Sequence, residues 1–92
     1  MYVDELELST VRELVDLEDK RVLEIGCGDG RFTYLYANDA AFVLGIDPDR
    51  GRIRDARRTR PPDLRRRVKF RVAKTVTRPR RKFDVALFSW SL

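Results

Sequence analysis

The sequence predicts an α/β protein built on an open, parallel β-sheet, and three features carry that prediction. The first is a strand predicted over residues 21–25, whose apolar residues Val22, Leu23 and Ile25 are followed by glycines at alternate positions, namely Gly26, Gly28 and Gly30. The second is a continuous apolar run over residues 41–46. The third is the helical spacing of the apolar residues that lie between the two runs. Apolar runs of this kind are typical of parallel strands that are covered on both faces.

The glycine turn after the first run is the main functional signal in the chain. Residues 22–30 read VLEIGCGDG, with one acid, Glu24, inside the apolar run. Glycine accepts positive φ values and lets a ligand approach the backbone without meeting a Cβ atom. The spacing beyond the turn predicts a helix over residues 31–38. A strand, a glycine turn and a helix N-terminus together favour a nucleotide-like, partly anionic ligand.

A second acid, Asp47, follows the second apolar run. At the tip of a strand, its two carboxylate oxygens can accept hydrogen bonds from both hydroxyls of a ribose. Asp47 lies 17 residues beyond Gly30, close to the spacing of about 20 residues that is expected when a glycine turn and an acid lie on adjacent strands. The alternative is that Asp47 caps a helix that begins at Pro48 and is predicted over residues 48–58. The two roles are compatible.

The spacing of the glycines distinguishes two classes of nucleotide site. The dinucleotide fingerprint G-x-G-x-x-G requires a third glycine at position 31, where this chain has Arg31. The sequence instead has an acid followed by alternating glycines, a pattern that resembles the first motif of the class I S-adenosylmethionine-dependent methyltransferases. Asp47 matches the second motif of that family. An NAD-binding protein of the Rossmann type is therefore the less favoured alternative.

The resemblance implies a Rossmann-like sheet and a role for each motif. In the family, the glycine turn curls under the methionine part of S-adenosylmethionine. The acid at the position of Glu24 helps to hold the ammonium group, often through water, and the acid at the position of Asp47 holds the ribose. The cofactor-binding residues that the resemblance implies are Glu24, Gly26, Gly28, Gly30, Asp47, Pro48, Thr75 and Ser89.

The third strand is predicted over residues 68–72, where apolar and basic residues alternate as in a half-exposed edge strand. After this strand, the family usually has an acid and a small residue that read the adenine. The corresponding pair in this chain is Lys74 and Thr75. The Thr75 amide can still meet a ring nitrogen, but the Lys74 ammonium cannot accept a hydrogen bond from the adenine amino group. We therefore expect Lys74 to weaken adenine recognition.

The last strand is predicted over residues 83–89, and its Phe-Asp start resembles the fourth strand of the family. Ser89 is expected at the carboxyl end of that strand, where ligands bind in open α/β sheets. Family members that methylate the amines of bases often carry Asn/Asp-Pro-Pro-Tyr/Phe there, whereas residues 89–92 of this chain read SWSL. The resemblance therefore favours a small-molecule acceptor. No general base can be named from the sequence.

The resemblance also implies how the chain is organised. The four strands are expected in the order 3-2-1-4, with helices on both faces of the sheet. Residues 1–19 are predicted to form an N-terminal helix that ends by Leu17, and residues 20–92 a partial cofactor-binding domain. Because the family domain normally has about twice this length, we expect the cofactor-binding half of a methyltransferase. The alternatives are a non-catalytic cofactor-binding or interaction module and an inactive truncated fragment.

The outer edge of the fourth strand is expected to be open. Residues 85–88 form an uncharged apolar run without proline or lysine. An apolar edge of this kind invites pairing with another chain. The sequence therefore predicts self-association, or a partner chain, at this edge.

The amino-acid composition limits the number of domains and the kinds of site that the chain can contain. The 92 residues allow one domain, and the single cysteine excludes an internal disulfide, which favours the reducing cytoplasm. With no histidine and one cysteine, no metal-ligand cluster is expected. The sequence shows no secretory leader and no apolar run of about 18 residues, so no membrane association is expected.

Charge is unevenly distributed along the chain. Residues 1–49 hold 4 basic and 12 acidic residues, a net charge of −8, whereas residues 50–92 hold 16 basic and 3 acidic residues, a net charge of +13. A half this basic can attract nucleic acid. The favoured interpretation is a solvated face of helices and loops, because no aromatic residue interleaves the arginines of residues 50–67 as single-strand binding requires.

Overall fold

Four parallel strands form the sheet in the part of the chain that the computed structural model describes, residues 16–74 and 83–89. The strands are β1 (Arg21–Ile25), β2 (Phe42–Asp47), β3 (Val68–Val72) and β4 (Val85–Phe88). They pair in the order β3-β2-β1-β4, and every pairing is parallel. The helices are α1 (Thr33–Tyr36) and α2 (Arg50–Thr59), and a 3-10 turn covers Pro62–Leu64. The predicted fold class and strand order are confirmed.

The core lies between α2 and one face of the sheet. The strand register places Val43 beside Val22 on one side and beside Val68 on the other, and all three side chains are fully buried. Helix α2 directs Ile53 and Ala56, three residues apart, to its buried face. Because branched side chains pack well on a pleated sheet, the valines of β2 and β3 in this row form a surface against which α2 packs.

Helix α1 is shorter than the helix predicted over residues 31–38. It begins at Thr33, and Phe32 occupies the N-cap position without a side-chain hydrogen bond. Beyond its last residue, Tyr36, the Asp39 amide donates to the Tyr36 carbonyl at 2.9 Å, three residues back rather than four. This tighter hydrogen bond ends the α-helical pattern before the predicted end at residue 38.

Helix α2 begins at Arg50 rather than at Pro48. Asp49, with φ −84° and ψ 109°, is the N-cap, and its carboxylate accepts a hydrogen bond from the Arg52 amide at 3.1 Å. A cap of this kind satisfies one of the four free amides at the start of a helix. The alternative role of Asp47 as the cap of this helix is therefore wrong.

Two arginines of the basic half occupy the outer edge of β3. The guanidinium groups of Arg57 and Arg60 donate to the carbonyls of Phe70 and Val68, at 2.7 and 2.9 Å. These carbonyls lie on the side of β3 that faces away from β2. An edge strand whose carbonyls are occupied is a poor template for a further strand. These two arginines therefore stabilise the fold.

Strand β4 forms the opposite edge of the described sheet. Its last residue, Phe88, is 63% exposed, and Ala86 is exposed as well. Because alternate side chains of a strand point to the same face of the sheet, the face of β4 that carries Ala86 and Phe88 is open to solvent. Self-association, or a partner chain, at this edge stays a prediction.

Most of the N-terminal helix predicted over residues 1–19 lies outside the described residues. Within the described part, Leu17 is a buried core residue, and Asp19 has φ 56° in the turn that leads into β1. None of the described helices combines the length and the apolar composition that crossing a membrane requires.

Candidate functional site

The glycine turn, residues 26–30, joins the carboxyl end of β1 to α1 and lies beside the end of β2. Its three glycines have φ values of 79°, 58° and 88°, all in the left-handed region. At Gly28 this conformation points the amide at the Asp47 carboxylate, and the N–H donates to Oδ2 at 3.0 Å. A side chain at Gly28 would strain that conformation. The turn therefore connects the two motifs that the sequence predicted to act together.

Most amides of the glycine turn already have acceptors within the protein. The Gly26 and Cys27 amides both donate to the Ile46 carbonyl, at 2.8 and 3.1 Å, and the Gly30 amide donates to the Cys27 carbonyl at 3.1 Å. A phosphate-binding turn instead points free amides and a helix N-terminus at the anion, and α1 has only four residues. These amides are therefore not available to a phosphate group.

Asp47 provides acceptors at the end of β2. Its side chain is buried, with 8% of its surface exposed. Oδ2 accepts from the Gly28 amide, and Oδ1 accepts from the Asp49 amide at 2.9 Å. Because a carboxylate has about four lone-pair sites, each oxygen keeps capacity for one more hydrogen bond. The neighbouring Pro48 is exposed.

Glu24 lies at the centre of a buried group of hydroxyls, which we call the hydroxyl cage (Glu24, Thr33, Tyr36 and Ser89). The Thr33 and Tyr36 hydroxyls donate to Oε1 at 2.8 and 2.5 Å, and the Ser89 hydroxyl donates to Oε2. Burial raises the pKa of Glu24, and these three hydrogen bonds act in the opposite direction. Burial also raises the pKa of Tyr36 well above its usual value, so Tyr36 stays a neutral donor.

Ser89 lies at the carboxyl end of β4, as predicted. Its amide donates to the Ile25 carbonyl at 3.0 Å, which continues the pairing of β4 with β1 beyond the last strand residue. The relative exposure of Ser89 is 7%, whereas Glu24 and Thr33 are at 0% and Tyr36 is at 1%. A ligand at this end of the sheet therefore reaches the hydroxyl cage through Ser89 and not through Glu24 itself.

Lys74 and Thr75 follow β3, the neighbour of β2. The Ala73 amide donates to the Asp47 backbone carbonyl at 3.0 Å, so the chain leaves β3 beside Asp47. Lys74 is exposed. Thr75 lies outside the described residues.

Sequence reasoning missed several residues that shape the site. No motif in the sequence singles out Thr33 and Tyr36, although their spacing of three places both on the face toward Glu24. Gly45 was treated as an ordinary strand residue. A Cβ atom there would lie 2.9 Å from Cys27 Sγ and 2.9 Å from Phe70 Cδ1. Gly45 therefore makes room for the buried thiol of Cys27, whose pKa is raised by burial and by nearby carboxylates.

Several solved structures share this fold. The YcgJ protein from Bacillus subtilis is 18% identical with a TM-score of 0.80, over 92% of this chain and 38% of its own. An RNA methyltransferase from Salinibacter ruber, in complex with S-adenosylhomocysteine, is 21% identical with a TM-score of 0.79, over 96% of this chain and 60% of its own. An S-adenosylmethionine-dependent methyltransferase from Thiobacillus denitrificans, also in complex with S-adenosylhomocysteine, is 28% identical with a TM-score of 0.73, over 92% of this chain and 36% of its own.

The chain thus spans between 36% and 60% of the length of these three proteins. No curated protein matches the sequence. S-adenosylmethionine, the cofactor predicted from the sequence, is the one on which the Thiobacillus protein depends. The profile of a family described as methyltransferase domain matches residues 22–92, which is most of the chain. Together with the parallel sheet of order 3-2-1-4, this match confirms the predicted family, and the chain belongs to that family of methyltransferase domains.

Proposed function

We propose that this chain binds S-adenosylmethionine across the carboxyl ends of β4, β1 and β2, as the cofactor-binding part of a methyltransferase that acts in the cytoplasm on a small-molecule acceptor. The observation that carries the proposal is the Asp47 carboxylate. Each of its oxygens holds one backbone amide and has capacity for one hydroxyl. Two adjacent acceptors of this kind suit the two hydroxyls of a ribose.

The balance of donors and acceptors favours this ligand over NAD. S-adenosylmethionine carries a positive sulfonium, an ammonium and a ribose diol, which are attracted to acceptors and negative charge, and it has one carboxylate where NAD has a pyrophosphate. The site offers the Asp47 carboxylate and the Ser89 hydroxyl in front of Glu24, whereas the amides of Gly26, Cys27 and Gly30 are already bonded within the protein. The pyrophosphate of NAD needs free amides at the turn, and these three are not free.

The bound cofactor would supply a methyl group that is activated by its positive sulfur. The residues of this chain would hold and orient it, with Asp47 on the ribose and Ser89 toward the ammonium. Correct positioning of two reactants can lower a barrier by about 7–11 kcal/mol. The preference for a small-molecule acceptor is supported by the SWSL sequence over residues 89–92, which differs from the motif of the enzymes that methylate base amines.

Titration calorimetry tests this function directly. We expect S-adenosylhomocysteine to bind the chain at Asp47 with a single site per chain, and NAD to show no heat of binding. Tight NAD binding without a response to S-adenosylhomocysteine would overturn the proposal. Adenosine serves as a control that carries the ribose and the base but no ammonium.

The residue after β3 provides a second test. Replacing Lys74 with aspartate should tighten the binding of S-adenosylhomocysteine, because aspartate can accept a hydrogen bond from the adenine amino group and lysine cannot. We expect a several-fold lower dissociation constant by calorimetry. Lys69→Asp is the matched control, since Lys69 is also exposed but lies within β3. Unchanged or weaker binding by Lys74→Asp would show that the adenine does not lie beside this residue.

A further inference from the structure

The hydroxyl cage holds a buried carboxylate that has no cationic partner within residues 16–74 and 83–89. Glu24 is completely buried, and burial raises its pKa; among the described residues, the groups that oppose this rise are three neutral hydroxyls rather than a lysine or arginine. An ionised carboxylate is costly to bury unless it is paired or fully hydrogen bonded. The three donors come from α1 and from the residue after β4, so the cage joins both elements to β1.

The Ser89 hydroxyl can accept a hydrogen bond from a ligand while it donates its own proton to Glu24. An ionised carboxylate can only accept hydrogen bonds, and a serine hydroxyl has one proton to donate. When Ser89 donates that proton to Glu24, its oxygen keeps its lone pairs for another donor. Ser89 is also the one cage residue with more than 1% of its surface exposed. The cage therefore presents a hydroxyl acceptor, with negative charge behind it, at the ligand-facing end of β4.

We propose that Thr33 and Tyr36 are positioning residues that keep Glu24 ionised, so that Glu24 orients the Ser89 hydroxyl as an acceptor for the ammonium group of the ligand. The inference rests on the proposed function and adds a proton-linked step to it. When Glu24 gains a proton, the negative charge behind Ser89 is lost. The carboxylic acid then donates to Ser89, whose own proton turns toward the Gly26 carbonyl at 3.4 Å.

Few other groups near Glu24 can take up this proton. From α1 the titratable neighbour is the Tyr36 phenol, and from the glycine turn it is the Cys27 thiol; burial raises the pKa of both, so both stay neutral. From β2, Gly45 lies beside Glu24 in register, and Asp47 lies at the end of the strand near Cys27. From β4, Leu87 lies beside Glu24 and carries no charge. Asp29, in the glycine turn, also acts on Cys27. Asp47 and Asp29 are thus the competing carboxylates that the experiment must separate from Glu24.

The stability of the fold and the affinity for the ligand are expected to depend on pH in opposite directions. Burial raises the pKa of Glu24 in the folded state above its value in the unfolded chain. The contribution of Glu24 to the stability of the fold is therefore fully present at a pH below the unfolded pKa. It is lost as the pH rises through the folded pKa. Ligand binding has the opposite dependence, since it requires ionised Glu24. A loss of binding at low pH that arises at Glu24 is therefore not caused by unfolding at Glu24.

The experiment measures S-adenosylhomocysteine binding by calorimetry from about pH 5 to about pH 8. This range lies above the ordinary pKa of a carboxyl group, because burial raises the pKa of Glu24. Wild-type binding should weaken as the pH falls. Tyr36→Phe, which removes one donor to Glu24, should shift this loss to higher pH by at least half a unit. Tyr34→Phe is the matched control, because its hydroxyl donates to the Ala56 carbonyl outside the cage, and its profile should follow the wild type.

Two further variants cover the other outcomes. Thr33→Val removes a different donor and replaces Tyr36→Phe if that protein does not fold. Glu24→Gln, whose amide imitates the protonated acid, should bind weakly at every pH and lose the pH dependence. A dependence that persists belongs to another carboxylate, Asp47 or Asp29, and overturns the inference. Unshifted profiles for Tyr36→Phe and Thr33→Val, with normal binding, also overturn it and leave the proposed function intact. If the wild type binds no S-adenosylhomocysteine at any pH, the proposed function fails and the inference fails with it.

Discussion

Replacing Gly45 with alanine is expected to destabilise the fold by about 1–3 kcal/mol, the range for overpacking a core. The new Cβ atom would lie 2.9 Å from both Cys27 Sγ and Phe70 Cδ1, closer than real contacts allow. Both neighbours are buried, with 5% of their surface exposed, so neither can move into water. For a domain of this size, each kcal/mol lowers the melting temperature by about 4–8 °C.

The matched control is a second glycine-to-alanine change, at Gly51 in α2. A Cβ atom there meets only Asp49 Oδ1 at 3.3 Å and the end of the Arg54 side chain at 4.0 Å. Alanine favours the helix over glycine by about 1 kcal/mol, so Gly51→Ala should leave the melting temperature unchanged or raise it. Thermal melting followed by circular dichroism compares the two. Equal melting temperatures for Gly45→Ala and the wild type would show that β2 and the glycine turn are less closely packed than described.

Replacing Asp47 with alanine is expected to weaken S-adenosylhomocysteine binding by about 1–3 kcal/mol, which is roughly 5-fold to 150-fold in the dissociation constant. The change removes both acceptors proposed for the ribose hydroxyls. It also leaves the Gly28 and Asp49 amides without their acceptor, so the glycine turn loses its link to β2. Calorimetry well below the melting temperature separates the loss of affinity from any loss of stability.

Asp63→Ala is the control for charge. Asp63 is an exposed acid in the 3-10 turn, away from the candidate site, so its removal changes the net charge equally without removing a ligand contact. Affinity should stay at the wild-type value. Asp47→Ala binding that equals Asp63→Ala binding would mean that Asp47 does not hold the ligand.

The sheet could be predicted from the sequence because its signals are local or periodic. The apolar run of β1 and the alternation of β3 gave the observed bounds, Arg21–Ile25 and Val68–Val72. The strand order came from the resemblance of the motifs at Glu24 and Asp47 to a known family. The helix boundaries were less accurate, because the cap at Asp49 depends on a backbone conformation that composition alone does not reveal.

The interior of the site could be predicted only in part. The glycine turn and Asp47 are recognisable because their chemistry depends on residue type and spacing. The partners of Glu24 lie 9, 12 and 65 residues away along the chain, and no periodicity links them to Glu24. The requirement for Gly45 is equally non-local, since it depends on how Cys27 and Phe70 approach β2.

A crystal structure of the chain with S-adenosylhomocysteine is the most direct test of the proposed site. We predict that the two ribose hydroxyls lie within about 2.5–3.0 Å of the Asp47 carboxylate oxygens, a normal hydrogen-bond distance between oxygens, and that the amino group faces Ser89. A ligand bound elsewhere, or one whose ribose does not contact Asp47, would contradict the assignment of this edge of the sheet as the cofactor site.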